Sequence, residues 1–229
     1  MTTTEPPHSQ LATAVAELKP RLRGWLHAYA AGISIVSGAS LIAVAFALRG
    51  AVAGITCAIY CATVTLLFGT SALYHRRTWS PRALMIMKRL DHSMIFVFIA
   101  GTYTPIAVLT LPTGAMIGVL IAVWTGALVG VGLQTLWPTH PRWLSAPCYI
   151  ALGWVAAFVF PDLLSNAGVA AFVLIAAGGV VYTIGGVVYA LKKPNPYPGV
   201  FGFHEVFHLC TLVAAACHYI AIWLAVFAR

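Results

Sequence analysis

The sequence predicts an all-α, polytopic membrane protein: seven transmembrane helices, with the N-terminus cytoplasmic and the C-terminus outside. Three observations carry this expectation. Of 229 residues, 61% are hydrophobic and 8% are charged, whereas roughly 25% are charged in a soluble domain. The mean hydropathy is +0.90. The apolar residues are gathered into runs near the length of about 20 residues that a bilayer-crossing helix needs. Between the runs lie short stretches rich in proline, glycine and basic residues.

Residues 1–23 read as a polar cytoplasmic tail, with a short amphipathic turn at 11–18, and residues 24–229 as one seven-helix membrane domain. The tail holds no short apolar region ending in a small-residue cleavage site, so the first span is expected to act as its own insertion signal. Span one covers 25–48 and is linked by Arg49 and Gly50 to span two, 52–74. The basic stretch HRRTWSPRALMIMKRLD is expected to be a loop. Span three follows at 90–109, then the turn LPTG and span four at 115–136. The proline-rich WPTHPRW is a break. Span five, the shortest, covers 144–160 and is expected to end at Pro161-Asp162. Span six covers 168–191, KKPNPYPG breaks the chain again, and span seven covers 201–228.

Orientation follows from the basic residues, which stay on the cytoplasmic side. With the N-terminus inside, eleven of the 13 Lys and Arg fall in cytoplasmic segments, leaving Arg49 and Arg229 outside. The net charge of +8 therefore reads as a topology signal and an attraction to anionic headgroups rather than as a nucleic-acid footprint. No soluble protein partner is implied; the expected partners are membrane lipids. Five cysteines (Cys57, Cys61, Cys148, Cys210 and Cys217) are scattered through apolar runs without a CxxC pair, and read as small packing residues. In span six, Gly178 and Gly185, like Gly179 and Gly186, are seven apart. They make a smooth stripe along which another helix can approach.

The chemistry-bearing residues converge on the head of span seven, FHEVFH. His204 and His208 are four apart, so they share a helix face one turn apart, and histidine at membrane depth is costly enough to mark a functional site. Span two ends at the same face with SALYH, where Ser71 and His75 are also four apart. Span three begins there with Asp91. Three imidazoles with an open fourth position form the ligand set of a catalytic zinc site. Asp91 is then suited to hold the water in the fourth position, and Ser71 to complete the polar shell by hydrogen bonding. A rim ion pair with Lys88 or Arg89 is the plainer role for Asp91. His8, His27 and His140, in tail and loop positions, read as solvated. His92 points about 100° away from Asp91 on a helix and is left out of the site. His218, ten residues past His208, is assigned to packing or hydrogen bonding.

SALYH, LDHSMIFVFIAGTYTP and FHEVFH resemble the three signature motifs of the hemolysin III family, which belongs with the progestin and adipoQ receptors and, more widely, the alkaline ceramidases. The resemblance covers residues 23–227, with each motif on a different helix. It implies seven spans with a cytoplasmic N-terminus and Zn2+ held by His75, His204 and His208. It further implies that Asp91 holds the water and that Ser71 completes the shell. Zinc-dependent hydrolysis of a membrane lipid amide or ester is the implied activity, in a multi-pass protein of the bacterial plasma membrane. Two alternatives remain open: a non-enzymatic zinc-binding regulator of membrane lipid homeostasis, and a cytolysin as the family name suggests. The latter is disfavoured because the chain reads as a resident polytopic protein. HEVFH also fits the HExxH zincin pattern with Glu205 as base. No aspartate-glycine motif offers a third ligand for a protease, and Glu205 reads rather as a partner for Lys or Arg at the cytoplasmic rim.

Overall fold

Helix is the regular structure that the described residues adopt. The computed structural model describes residues 20–137, 139–197 and 199–228; the expected turn at 11–18 and His8 lie outside them. In chain order the helices are α1 (Trp25–Arg76), α2 (Pro81–Thr110), α3 (Thr113–Leu136), α4 (Arg142–Gly153), a 3-10 segment (Trp154–Val159), α5 (Phe160–Leu191) and α6 (Phe203–Phe227). Five helical stretches are long and apolar enough to cross a membrane: Trp25–Arg76, Pro81–Thr110, Thr113–Leu136, Leu144–Leu191 and Phe203–Phe227. Large apolar side chains such as Val36, Leu128 and Phe158 point outward, as they do where lipid rather than water covers the surface.

Two of these stretches have 52 and 48 residues. Straight, they would measure about 78 and 72 Å, more than twice the roughly 30 Å hydrocarbon core. Each is instead broken at a glycine whose positive φ other residues avoid: Gly50 (φ 80°, ψ −171°) and Gly168 (φ 81°, ψ 166°). Around Gly50 the two halves of α1 run back along each other. Ser34 Oγ lies 2.9 Å from Thr65 Oγ1, Cys61 Sγ lies 3.7 Å from the Gly38 carbonyl, and the Arg76 guanidinium sits 3.7 Å above the Trp25 ring. Around Gly168 the same holds. Trp154 Nε1 donates to Thr183 Oγ1 at 3.0 Å, and the Phe160 and Phe172 rings meet edge to face at 5.1 Å.

Two expected boundaries are corrected. Pro161-Asp162 does not end a helix. Proline in the first turn of α5 has no N–H to lose there, so the chain stays helical until Gly168. The basic stretch after His75 is not a loop throughout, because α2 starts at Pro81. Ser80 caps it, its Oγ accepting from Ala83 N at 3.4 Å, and the Ala, Leu, Met, Lys and Arg that follow are good helix formers. Asp91 therefore lies in the third turn of α2 rather than at its start.

Of the glycines on α5, Gly178 and Gly185 face α6, whereas Gly186 faces Ile150 of α4. A Cβ on Gly185 would come within 2.8 Å of Cys210 Cβ, and one on Gly178 within 2.4 Å of His218 Nε2. All five cysteines are free. The two ends of the bundle are tied separately. At one, the Arg49 side chain donates to the Ala228 carbonyl. At the other, Arg21 N and Leu22 N donate to the carbonyls of Gly199 (3.0 Å) and Val200 (3.3 Å).

Candidate metal centre

The centre is built on the first turn of α6. Gly202 is the N-cap, and its N–H donates to Glu205 Oε2 at 2.8 Å. Glu205 Oε1 accepts from Arg23 Nε, and the carboxylate is buried, 1% exposed. Phe203 N donates to Asn195 Oδ1 at 2.8 Å. These contacts fix where α6 starts, and hence where His204 and His208 point. Both Glu205 oxygens are turned to this bracing, and Glu205 lines neither hollow described below, unlike the base of an HExxH protease. The expectation of a basic partner at the rim corresponds to Arg23.

His75 reaches the same point from the last turn of α1. One ligand nitrogen from each of His75, His204 and His208 lies within 4.8 Å of the others, and His204 Nε2 is 3.1 Å from His75 Nε2. Ring centroids are 4.7 Å apart for His75–His204, 5.1 Å for His75–His208 and 4.6 Å for His204–His208. A tetrahedral ion with metal–nitrogen bonds of about 2.0–2.1 Å needs its nitrogens roughly 3.3 Å apart. The donor set fits: the closest pair is already near that spacing, and the third imidazole is within reach. The three histidines can hold a metal ion, and imidazole suits Zn, Cu, Fe or Ni.

Asp91 stands beside this triangle. Its Oδ2 is 3.9 Å from His75 Nε2 and 3.4 Å from His92 Nδ1, and Ser71 lines the same cavity as Asp91. Among the described residues its ion-pair contacts are to these two histidines and not to Lys88 or Arg89. His92, left out on angular grounds, is near Asp91 after all. Its Nδ1 donates to the Lys88 carbonyl at 2.9 Å, which folds the ring back toward the preceding turn.

His27 is the residue that sequence reasoning missed. It is not solvated but 3% exposed, packed between Phe68 at 5.0 Å and His208 at 3.8 Å. Neither ring nitrogen has a hydrogen-bond partner among the described residues. His140 stays in its loop, with Nδ1 2.6 Å from the Trp137 carbonyl. His218 bonds the Ile175 carbonyl at 3.2 Å.

Two hollows meet at the histidines. On the side of Arg23, Arg77 and Lys88 is a polar vestibule of about 350 Å³, reached by His75, His92 and His204. On the other side an apolar cavity of about 140 Å³ runs down between the helices past Phe98, Ile106 and Leu163. Ser71, Asp91 and His208 line that cavity, and His92 and His204 line both hollows.

The chain is similar to several known proteins. "Hemolysin-3" of Bacillus cereus is 30% identical over 158 residues, 69% of this chain and 69% of that protein. "Hemolysin-3 homolog" of Bacillus subtilis (strain 168) is 29% identical over 164 residues, covering 72% and 74%. "Monocyte to macrophage differentiation factor" of Homo sapiens is 26% identical over 173 residues, covering 74% and 69%. The family profile described as Haemolysin-III related matches residues 15–219, and the chain belongs to that family.

Proposed function

We propose that this protein is a zinc-dependent hydrolase of membrane lipid amide or ester bonds, resident in the cell membrane. The observation that carries the reading is the position of the histidine triangle, at the junction of a basic polar vestibule and an apolar cavity. That junction suits a molecule with a polar head and a long apolar chain whose scissile bond lies between them. A tightly plugged bundle would have favoured a purely regulatory role, and the cavity argues against it. A soluble substrate has no use for the apolar side, and a peptide bond in a membrane helix would first have to be unwound.

His75, His204 and His208 would hold the zinc. When bound, zinc polarises a carbonyl and lowers the pKa of water to about 7. Asp91 Oδ2 would orient the attacking water and accept its proton, while Ser71 holds the carboxylate in place. Arg77 and Lys88 in the vestibule would neutralise an anionic head, and the vestibule would supply water. The reversals at Gly50 and Gly168 support seven crossings rather than five. The charge partition puts the N-terminus, the vestibule and the centre at the cytoplasmic face.

The test compares chelated, zinc-reloaded and His208→Ala proteins on amide- and ester-linked lipids, following released fatty acid. Release by the reloaded protein alone is expected. Release no higher than that of His208→Ala, with zinc bound in the parent, would refute the hydrolase reading.

A further inference from the structure

The apolar cavity carries a polar pair far below the histidines. His218 lies ten residues beyond His208 on α6, about 15 Å along the helix axis, and Tyr182 faces it from α5 with ring centroids 5.5 Å apart. Both residues line the cavity. Tyr182 Oη and His218 Nδ1 are buried, and neither has a hydrogen-bond partner among the described residues. Buried polar atoms are nearly always partnered, so two orphans on residues that line one hollow point to an occupant toward which these side chains turn.

The chemistry of that occupant can be read from the two atoms. His218 Nε2 is 3.2 Å from the Ile175 carbonyl. A carbonyl only accepts, so Nε2 carries the proton and Nδ1 of the neutral ring is an acceptor. The ring is held in this orientation because it lies over Gly178, where a Cβ would come within 2.4 Å of Nε2. Tyr182 Oη offers a proton. The complement must donate to Nδ1 and accept from Oη. An alkyl chain does neither. A ketone or carboxylate only accepts and leaves Nδ1 bare. An alcohol does both.

We infer that Tyr182 and His218 form a hydroxyl-reading subsite, which selects lipids whose acyl chain carries a hydroxyl about 15 Å below the histidine triangle. This rests on the lipid-hydrolase reading, which puts the reacting end of the chain at the histidines and its tail in the cavity. The subsite would make the protein discriminate within lipids of one headgroup, by a group on the chain.

The experiment measures binding, independently of turnover. Stearic acid and its mid-chain hydroxylated counterpart are titrated into the purified full-length protein in nanodiscs, with parent, Tyr182→Phe and His218→Phe compared. The parent is expected to bind the hydroxylated chain about tenfold more tightly, the worth of one well-made buried hydrogen-bond set. Tyr182→Phe, nearly isosteric, should bind both chains alike while keeping the parent's affinity for stearic acid. His218→Phe should behave the same way if it folds over Gly178, and Tyr182→Phe decides the matter if it does not. Equal affinity of the parent for both chains, or a preference that survives Tyr182→Phe, overturns the subsite and leaves the lipid reading standing; a resident water would give the first of these results. Binding of neither chain overturns the lipid reading and the subsite with it.

Discussion

His27 and His208 stack face to face, their ring centroids 3.8 Å apart and their planes 13° from parallel. The contact joins the start of α1 to the first turns of α6. Since neither nitrogen of His27 is hydrogen-bonded, its part in holding His208 is the flat face of its ring. Removing the ring in His27→Ala leaves a void beside a ligand and frees His208 to turn. Loss of a group that orients a ligand typically costs 10–100-fold in metal affinity, and about tenfold is expected here. His27→Phe keeps the face and should stay within about threefold of the parent. Competition with a chromophoric zinc chelator measures both, and a loss in the Phe variant equal to that in the Ala variant would show that the imidazole nitrogens matter.

Asp91 is surrounded by His75, His92 and Ser71 rather than by lysine or arginine. Asp91→Asn keeps the size of the side chain and removes the proton acceptor. Metal content by elemental analysis should be unchanged, while lipid hydrolysis falls by about 10²–10⁴-fold, the usual worth of a general base. Parent-level turnover in Asp91→Asn would reduce the carboxylate to a structural neighbour of His75.

Glu205 separates two chemistries that share the HEVFH motif. As the brace described above, Glu205→Ala should cost about 3 kcal/mol of stability, because it leaves the Arg23 guanidinium without its carboxylate and Gly202 N–H without its acceptor. Glu205→Gln keeps an oxygen for the N-cap and should retain both metal and activity in the folded fraction. Thermal unfolding and turnover, measured together, check this. Complete loss of turnover in a folded, metal-loaded Glu205→Gln protein would make it a catalytic base.

The Arg49 side chain and the Ala228 carbonyl are in contact, so the Gly50 reversal and the end of α6 belong to one face of the membrane. A cysteine at position 49 and a reporter fused at the C-terminus should therefore report the same side, which in the orientation proposed above is the outer one. Labelling of Arg49→Cys only after the cytoplasmic face is opened would move the centre to the other leaflet.

Much of the centre was legible because its signals are local. The four-residue spacings of Ser71–His75 and His204–His208 fix shared helix faces, and the ends of the apolar runs bring those faces to one depth. The reversal at Gly50 was legible as a short Arg-Gly link between two apolar runs. What escaped depends on contacts distant in sequence or on capping. Nothing around His27, in WLHAYA, distinguishes a buried ring from an interfacial one; its burial is decided by α6. The helical start at Pro81 was hidden because the basic residues that argue for a loop by charge are also good helix formers once Ser80 caps them. Pro161 looked like a stop because proline interrupts a helix interior, whereas here it opens one. The rings of Tyr182 and His218 meet between two helices, and no spacing within either helix reveals that.

His75 and His204 are separated by 129 residues of chain, and Arg23 and Glu205 by 182. At a synthesis rate of about 5–20 residues per second, the ribosome needs roughly 6–26 s to travel from one histidine to the other. For that interval His27, Ser71 and His75, soon joined by Asp91, are made but have nothing on α6 to meet, and polar groups facing lipid without partners are costly. Insertion of the early helices and closure of the centre are thus separate events in the birth of the protein. A nascent chain halted before residue 203 would carry these groups without the α6 neighbours that surround them in the finished molecule.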